Sequence, residues 1–135
     1  MAKVAVIIVN YNSGPFLKQC LVSLRQSTIP LEIVVVDNGS SDGSTDFIRK
    51  ASRVSDCQLI RNLTNLGFAV AVNQGVQSTT AEDVLLINPD CIVQPHSVAG
   101  LKLAMQREEC GAVGGLVFGF NGREQAGCRR RDPTL

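Results

Sequence analysis

Three short polar clusters carry most of the chemistry this 135-residue chain could do: Asn10-Tyr11-Asn12, Asp37-Asn38-Gly39-Ser40 and Asn88-Pro89-Asp90. Each follows directly on an apolar, mostly β-branched run, and Asn62, Asn65 and Gly67 similarly precede a helical pattern. A carboxylate such as Asp37 at a strand end can accept a hydrogen bond from a base N–H or a ribose hydroxyl. Asp90 suits a different task, because a hard divalent cation bridges carboxylate and phosphate oxygens. The chain has no Gly-Lys-Ser/Thr sequence, and no GxGxxG follows its first apolar run, so a diphosphate would need positive charge from such a cation. Taken singly, each cluster also reads as a plain turn or cap, since Asp, Asn, Gly and Ser favour turns and Asn-Pro initiates them. Their recurrence after successive apolar runs favours ligand binding.

The elements that would position these groups are legible in the apolar pattern. Runs at 4–9, 33–36 and 84–87 are nearly continuous and β-branched, as expected for strands buried on both faces of a parallel sheet. A shorter run lies at 59–60, and a weaker one at 112–118 is broken by Gly114 and Gly115. A first helix follows Pro15, with Leu17, Cys20, Leu21 and Leu24 at helical spacing and Asn12 or Ser13 as the N-cap. A second opens in the polar stretch 40–45 and ends near Arg49. The third runs from about Phe68 to Gln77 with Ala69, Val72 and Val76 on one face, and the fourth starts at Pro95 with Val98, Leu101 and Met105 inward. The predicted order β-α-β-α-β-α-β-α-β specifies an α/β three-layer sandwich around a mostly parallel sheet. Right-handed crossovers then gather every strand's C-terminal end, and the polar clusters with it, at one edge.

Bulk properties exclude other classes. Formal charge is +1, from 13 basic and 12 acidic residues, so no global field attracts nucleic acid or an anionic membrane. The five cysteines show no zinc or redox spacing and read as small buried hydrophobes in a reducing compartment. No apolar run approaches the ~20 residues of a membrane span, and residues 1–3 lead straight into a strand, so a cytoplasmic protein is expected. His96 is expected at a solvent-facing helix start, and Asp42 and Asp46 as helix-start charges. From Phe120 onward the chain turns polar and basic, and Arg129-Arg130-Arg131 before Pro133 reads as a solvated tail or a connection.

The segments VIIVNYNSG (6–14), IVVVDNGSSDGS (33–44), RNLTNLGFAVAVNQG (61–75) and LLINPD (85–90) together resemble family 2 inverting glycosyltransferases of the GT-A fold. The likeness is strongest to the rhamnosyltransferase-like subgroup that builds bacterial surface polysaccharides, and it covers residues 4 to about 118. It implies that Val9, Asn10, Tyr11 and Asn12 line a nucleoside pocket, with Asp37 bonding a uracil or thymine ring and Asn38 closing the ribose side. It further implies a wall of Asn65, Gly67, Phe68 and Asn73 facing ribose and diphosphate. Asn88-Pro89-Asp90 stands where the family has Asp-x-Asp, Asp90 being the ligand of Mg or Mn. This chain departs from the pattern twice: Asn88 replaces the first acid, and Val72 stands where an Arg is often found.

The resemblance implies a UDP- or dTDP-sugar donor, a saccharide or lipid-linked acceptor, and peripheral contact of the full-length protein with the inner membrane face. It divides the chain into a donor-binding half at 1–119 and, at 120–135, the start of a connection to an acceptor-binding part. The general base is expected beyond Leu135, so the chain alone is expected to bind donor but transfer sugar poorly. An apolar edge near 112–120 would be left exposed and could drive self-association. Two other classes compete. A sugar nucleotidyltransferase would carry a Gly-rich basic loop after its first strand, whereas residues 10–14 hold no basic residue. A non-catalytic binding module would not require Asp37 and Asp90.

Overall fold

The computed structural model describes residues 3–50, 57–107 and 109–125, with the side chains of 49 and 50 left aside. Arg129, Arg130, Arg131 and Cys128 lie outside the described residues. Four strands, β1 (Val4–Asn10), β2 (Leu31–Asp37), β3 (Cys57–Arg61) and β4 (Asp83–Ile87), alternate with helices α1 (Phe16–Leu24), α2 (Asp46–Lys50), α3 (Phe68–Gln77) and α4 (Ser97–Met105). The sheet order is β3-β2-β1-β4 and every pairing is parallel. All four C-terminal ends therefore meet at one edge, as the strand pattern implied.

Central β1 reads VAVIIVN because both of its faces are covered. On one face Val6, Ile8, Ile33 and Val35 pack with Leu17, Cys20, Leu21 and Leu24 of α1 and Ile48 of α2. On the other, Ala5, Ile7, Val34 and Val36 meet Ala71 of α3. These are the three layers expected from the sequence. Burial of Cys20 also pushes its thiol up to about 12, with Cys91 and Asp90 adding to the effect.

Four details differ from the sequence reading. First, α3 turns Ala71 and Gly75 to the sheet, while Ala69 is exposed, Val72 half-buried and Val76 39% exposed. The helix lies so close that a Cβ on Gly75 would come within 2.5 Å of Ile7 Cγ2, so small residues rather than valines must face inward. Second, residues 112–118 form no strand; they make a single antiparallel bridge, Phe118 to Glu124. An apolar run becomes a strand only where a neighbour takes up its backbone groups. Val113, Leu116, Val117, Phe118 and Phe120 are instead 37–97% exposed, as expected for that edge.

Third, α1 begins after Pro15, which occupies the N-cap with no side-chain cap bond. Asn12 and Ser13 are engaged elsewhere. Fourth, Asp46 does sit in the first turn of α2, but Asp42 ties two loops together. The fourth helix buries Val98 and half-buries Leu101 and Met105, as its spacing required, and His96 is exposed at its start.

Candidate functional site

At the shared edge, parallel register puts three polar residues side by side: Asn10 pairs with Asp37, and Asp37 pairs with Arg61. All three extend the strand face that carries the α1 core, because side chains two apart along a strand share a face. Asn10 is fully buried, and its Nδ2 lies 2.9 Å from Asp37 Oδ1, 3.0 Å from Ser40 Oγ and 2.9 Å from Ser44 Oγ. An amide nitrogen has two hydrogens, so it serves two of these acceptors at a time. The Ser13 hydroxyl donates to Asn10 Oδ1. Asn10 is thus consumed in fixing the strand ends.

Asp37 is the most loaded group of the site. Its side chain has no solvent exposure, and Oδ2 has no hydrogen-bond partner among the described residues. Arg61 Nε stands 3.4 Å from that oxygen, an ion-pair distance without hydrogen-bond geometry, and the Arg61 side chain is 46% exposed. A buried carboxylate oxygen left without a donor is costly. It marks the place where a ligand N–H would be most strongly favoured.

The neighbouring loops are built from amides. Asn38, 2% exposed, donates to Asn65 Oδ1 at 2.9 Å and to the Gly67 carbonyl at 3.2 Å. Its Oδ1 accepts from Asn62 Nδ2 at 3.0 Å and from the Leu66 N–H at 3.1 Å. Asn62 and Gln74 exchange reciprocal amide bonds of 2.8 and 3.0 Å, fastening the loop to α3. Asn65 Oδ1 also accepts from the Gly67 N–H. Gly39 has φ of 84° and a Cβ there would come within 2.9 Å of the Thr64 backbone, so only glycine lets the two loops touch.

Around the first turn, Asn12 adopts φ of 49°; its N–H donates to Ser40 Oγ, and its Oδ1 accepts from the Ser41 N–H. Asp42 accepts from the N–H groups of Gly14 at 2.7 Å and Ser44 at 2.9 Å. The Ser44 hydroxyl, foremost, and these N–H groups hold the Asp42 carboxyl below its ordinary range, against a small opposing effect of burial.

The remaining sequence-designated residues divide by exposure. Tyr11 is 52% and Phe68 59% exposed, and Asn65, Gly67 and Asn73 are also at the surface. Val9 is half-buried and packs against the cluster of Ala5, Ile7 and Ala71. Beyond β4, Asn88 and Asp90 are exposed with Pro89 half-buried between them. The Cys91 N–H closes this turn on the Asn88 carbonyl at 3.2 Å.

No group of three His, Cys, Asp or Glu that could hold a metal occurs among the described residues. Asp90, with an amide oxygen available on Asn88, fits a hard cation only where waters or phosphate oxygens complete its shell. Two grooves lie apart from the strand-end residues, one of about 450 Å³ between α1 and residues 92–95 and one of about 500 Å³ beside β4 and α4.

Sequence reasoning gave no role to Arg61, to the Asn62–Gln74 pair or to the Ser13, Ser40, Asp42 and Ser44 loop ties. The register of Arg61 with Asp37 was the signal available for the first; the others depend on loop contacts that have no sequence period.

A match to the model of glycosyl transferase family 2 extends over residues 5–131. The chain belongs to that family. Among family relatives, an N-acetylglucosaminyl-diphospho-decaprenol L-rhamnosyltransferase of Mycobacterium tuberculosis is 30% identical over 125 residues, covering 83% of this chain and 40% of that protein. A putative glycosyltransferase, EpsH of Bacillus subtilis, is 27% identical over 93 residues, covering 68% of this chain and 27% of its own. The chain thus spans well under half the length of these relatives. Of solved structures, mannosyltransferase PcManGT of Pyrobaculum calidifontis, in complex with GDP-Man and Mn2+, superposes with a TM-score of 0.73 at 25% identity. That match covers 79% of this chain and 33% of the other. Staphylococcus aureus TarS shares the fold, with a TM-score of 0.68 at 24% identity over 76% of this chain and 31% of the TarS chain. The α/β sandwich is accordingly a GT-A glycosyltransferase fold, and no described helix is long and apolar enough to cross a membrane.

Proposed function

We propose that this family 2 domain binds the nucleotide diphosphate of a sugar donor across its strand-end crevice, base at β2 and diphosphate at β4. The carrying observation is the fully buried Asp37 carboxylate with Oδ2 lacking a hydrogen-bond donor. Asn10 engages Oδ1, so one oxygen remains for one N–H. That demand suits uracil or thymine, whose ring offers a single such donor, and supports UDP or dTDP over a guanine nucleotide. Tyr11 provides an exposed ring for the base to stack upon, and Val9 the floor beneath.

Sheet order separates β2 from β4 by β1 alone. Two strand spacings, roughly 10 Å, therefore lie between the base and Asp90, the order of a nucleoside's length. Asp90 would hold Mg or Mn through its carboxylate, with Asn88 and Pro89 shaping the turn beside it. When bound, the cation supplies charge that stabilises the departing diphosphate. Asn65, Gly67, Phe68 and Asn73 form the facing wall. Asn38, whose side-chain bonds are all internal, acts by holding that wall in place.

The proposed reaction is inverting transfer of a hexosyl or rhamnosyl group to a saccharide or lipid-linked acceptor, in polysaccharide or glycolipid synthesis on the cytoplasmic side. The relative that acts on a diphospho-decaprenol substrate, by its name, supports the lipid-linked choice. Residues 1–119 are the donor-binding unit in this reading, and the general base is not among the residues of the crevice.

Calorimetric titration of UDP and dTDP, with manganese, magnesium or EDTA, tests it on wild type, Asp37→Asn and Asp90→Ala. The expected result is metal-dependent binding that Asp90→Ala makes metal-independent and Asp37→Asn weakens in every metal condition. Equal binding by all three proteins would refute the placement of base and diphosphate.

A further inference from the structure

The proposed base acceptor is shut. Asp37 has no solvent exposure, yet a base must reach its Oδ2. The groups against the carboxylate differ in their freedom to move. Asn10 is itself fully buried and is held by Ser13, Ser40 and Ser44. Arg61 is the last residue of the edge strand β3; its side chain is 46% exposed, and Asp37 is its one ionic partner among the described residues. Its Nε faces Oδ2 at 3.4 Å without reaching hydrogen-bond geometry.

We propose that Arg61 is a gate over the nucleobase site: its guanidinium faces the oxygen that a base N–H would bond and must swing outward before a base can reach Asp37. This rests on the reading of Asp37 as the base acceptor. The exchange is an ion-pair contact for a hydrogen bond at the same oxygen. It is favourable because a base N–H can align where Nε does not, and because a long, half-exposed side chain regains solvation on leaving. The binding-competent fraction of the empty protein is then set by an ion pair, and the apparent affinity is reduced by that fraction. A pair with one partner fully buried holds the gate shut by at least the roughly two- to fivefold that an exposed pair would supply.

The probe is uridine, which has no phosphate and so needs no metal, titrated by NMR at low and high salt. Wild type, Arg61→Ala, Arg61→Ser and Asp37→Asn are compared, with far-UV circular dichroism to confirm that each is folded. Opening the gate should tighten uridine binding at least roughly two- to fivefold in both Arg61 variants. Raising salt should tighten wild type by part of the gate factor, a pair with one buried partner being only partly screened, while leaving the variants unchanged because the ligand is uncharged. A merely structural role of Arg61 would not produce that salt response.

Weaker or equal binding in folded Arg61 variants would overturn the gate. If Asp37→Asn still loses uridine in that case, the base site itself stands and only the role of Arg61 falls. Binding that is indifferent to Asp37→Asn would sink both.

Discussion

The same substitution, glycine to alanine, should have opposite signs at two helical positions of this protein. Gly75 lies in α3 where a Cβ would meet Ile7 Cγ2 at 2.5 Å, Ile7 Cδ1 at 3.3 Å and Val36 Cγ2 at 3.3 Å. Ile7 and Val36 are both buried in the sheet, at 1% and 0% exposure, and β-branching leaves them little rotamer freedom. Overpacking of this kind costs about 1–3 kcal/mol, while alanine recovers about 0.8–1.0 kcal/mol of helix propensity. The net expectation for Gly75→Ala is a loss of about 0–2 kcal/mol, toward the upper end because the 2.5 Å contact is with a buried, β-branched side chain. Gly100 lies in α4 with nothing within 4 Å of its would-be Cβ. There only the propensity gain remains, and Gly100→Ala should stabilise by about 0.4–1 kcal/mol.

Urea unfolding followed by circular dichroism, with the slope checked for constancy, measures both. A second reading comes from Ile7→Leu, which removes Cγ2. Combined with Gly75→Ala it should recover part of the loss, a coupling visible in a double-mutant cycle. The reasoning is refuted if Gly75→Ala is as stable as wild type while Gly100→Ala gains. The helix would then stand further from β1 than the contact distances state.

Two further outcomes test the loops that frame the site. Truncating Asn38 to alanine removes four hydrogen bonds and should cost about 2–4 kcal/mol, with amide exchange at Leu66 and Gly67 accelerating more than exchange in β1. For Asp42 the folded carboxyl titrates below its ordinary value of 3.8. Its contribution is therefore present above that value and lost as pH falls through the lower, folded one. Asp42→Asn should accordingly be less stable than wild type at pH 7, with the difference shrinking toward pH 2, as thermal melts at the two pH values would show.

Much of the fold was legible because strands buried on both faces have nowhere to put polar residues. The runs at 4–9 and 33–36 are continuous for that reason, and parallel pairing then brings their polar ends to one edge. The packing face of α3 was not legible. Its valines follow helical spacing, but the helix approaches the sheet closely enough that Ala71 and Gly75 are the residues that fit. Hydrophobic periodicity reports which residues avoid water, and not how near two backbones come. Residues 112–118 failed in the converse way, since their composition suits a strand but among the described residues they form one isolated bridge, Phe118 to Glu124.

The site shows the same division between type and partner. Asp37, Asn38 and Asp90 stand out as polar residues after apolar runs, yet the run cannot say that Asn38 is wholly occupied in holding the 62–67 loop. Nor can it say that Asp37 has one oxygen taken by Asn10 and the other faced by Arg61. These assignments follow from register: with β1, β2 and β3 parallel and in step, Asn10, Asp37 and Arg61 must be neighbours. A carboxylate in that row has a donor on one side and a cation on the other before any ligand arrives. In the proposed reading, a ligand for Asp37 would compete with the protein's own residues, and its affinity would depend on how readily the exposed member of the row gives way. Arg61 is that member.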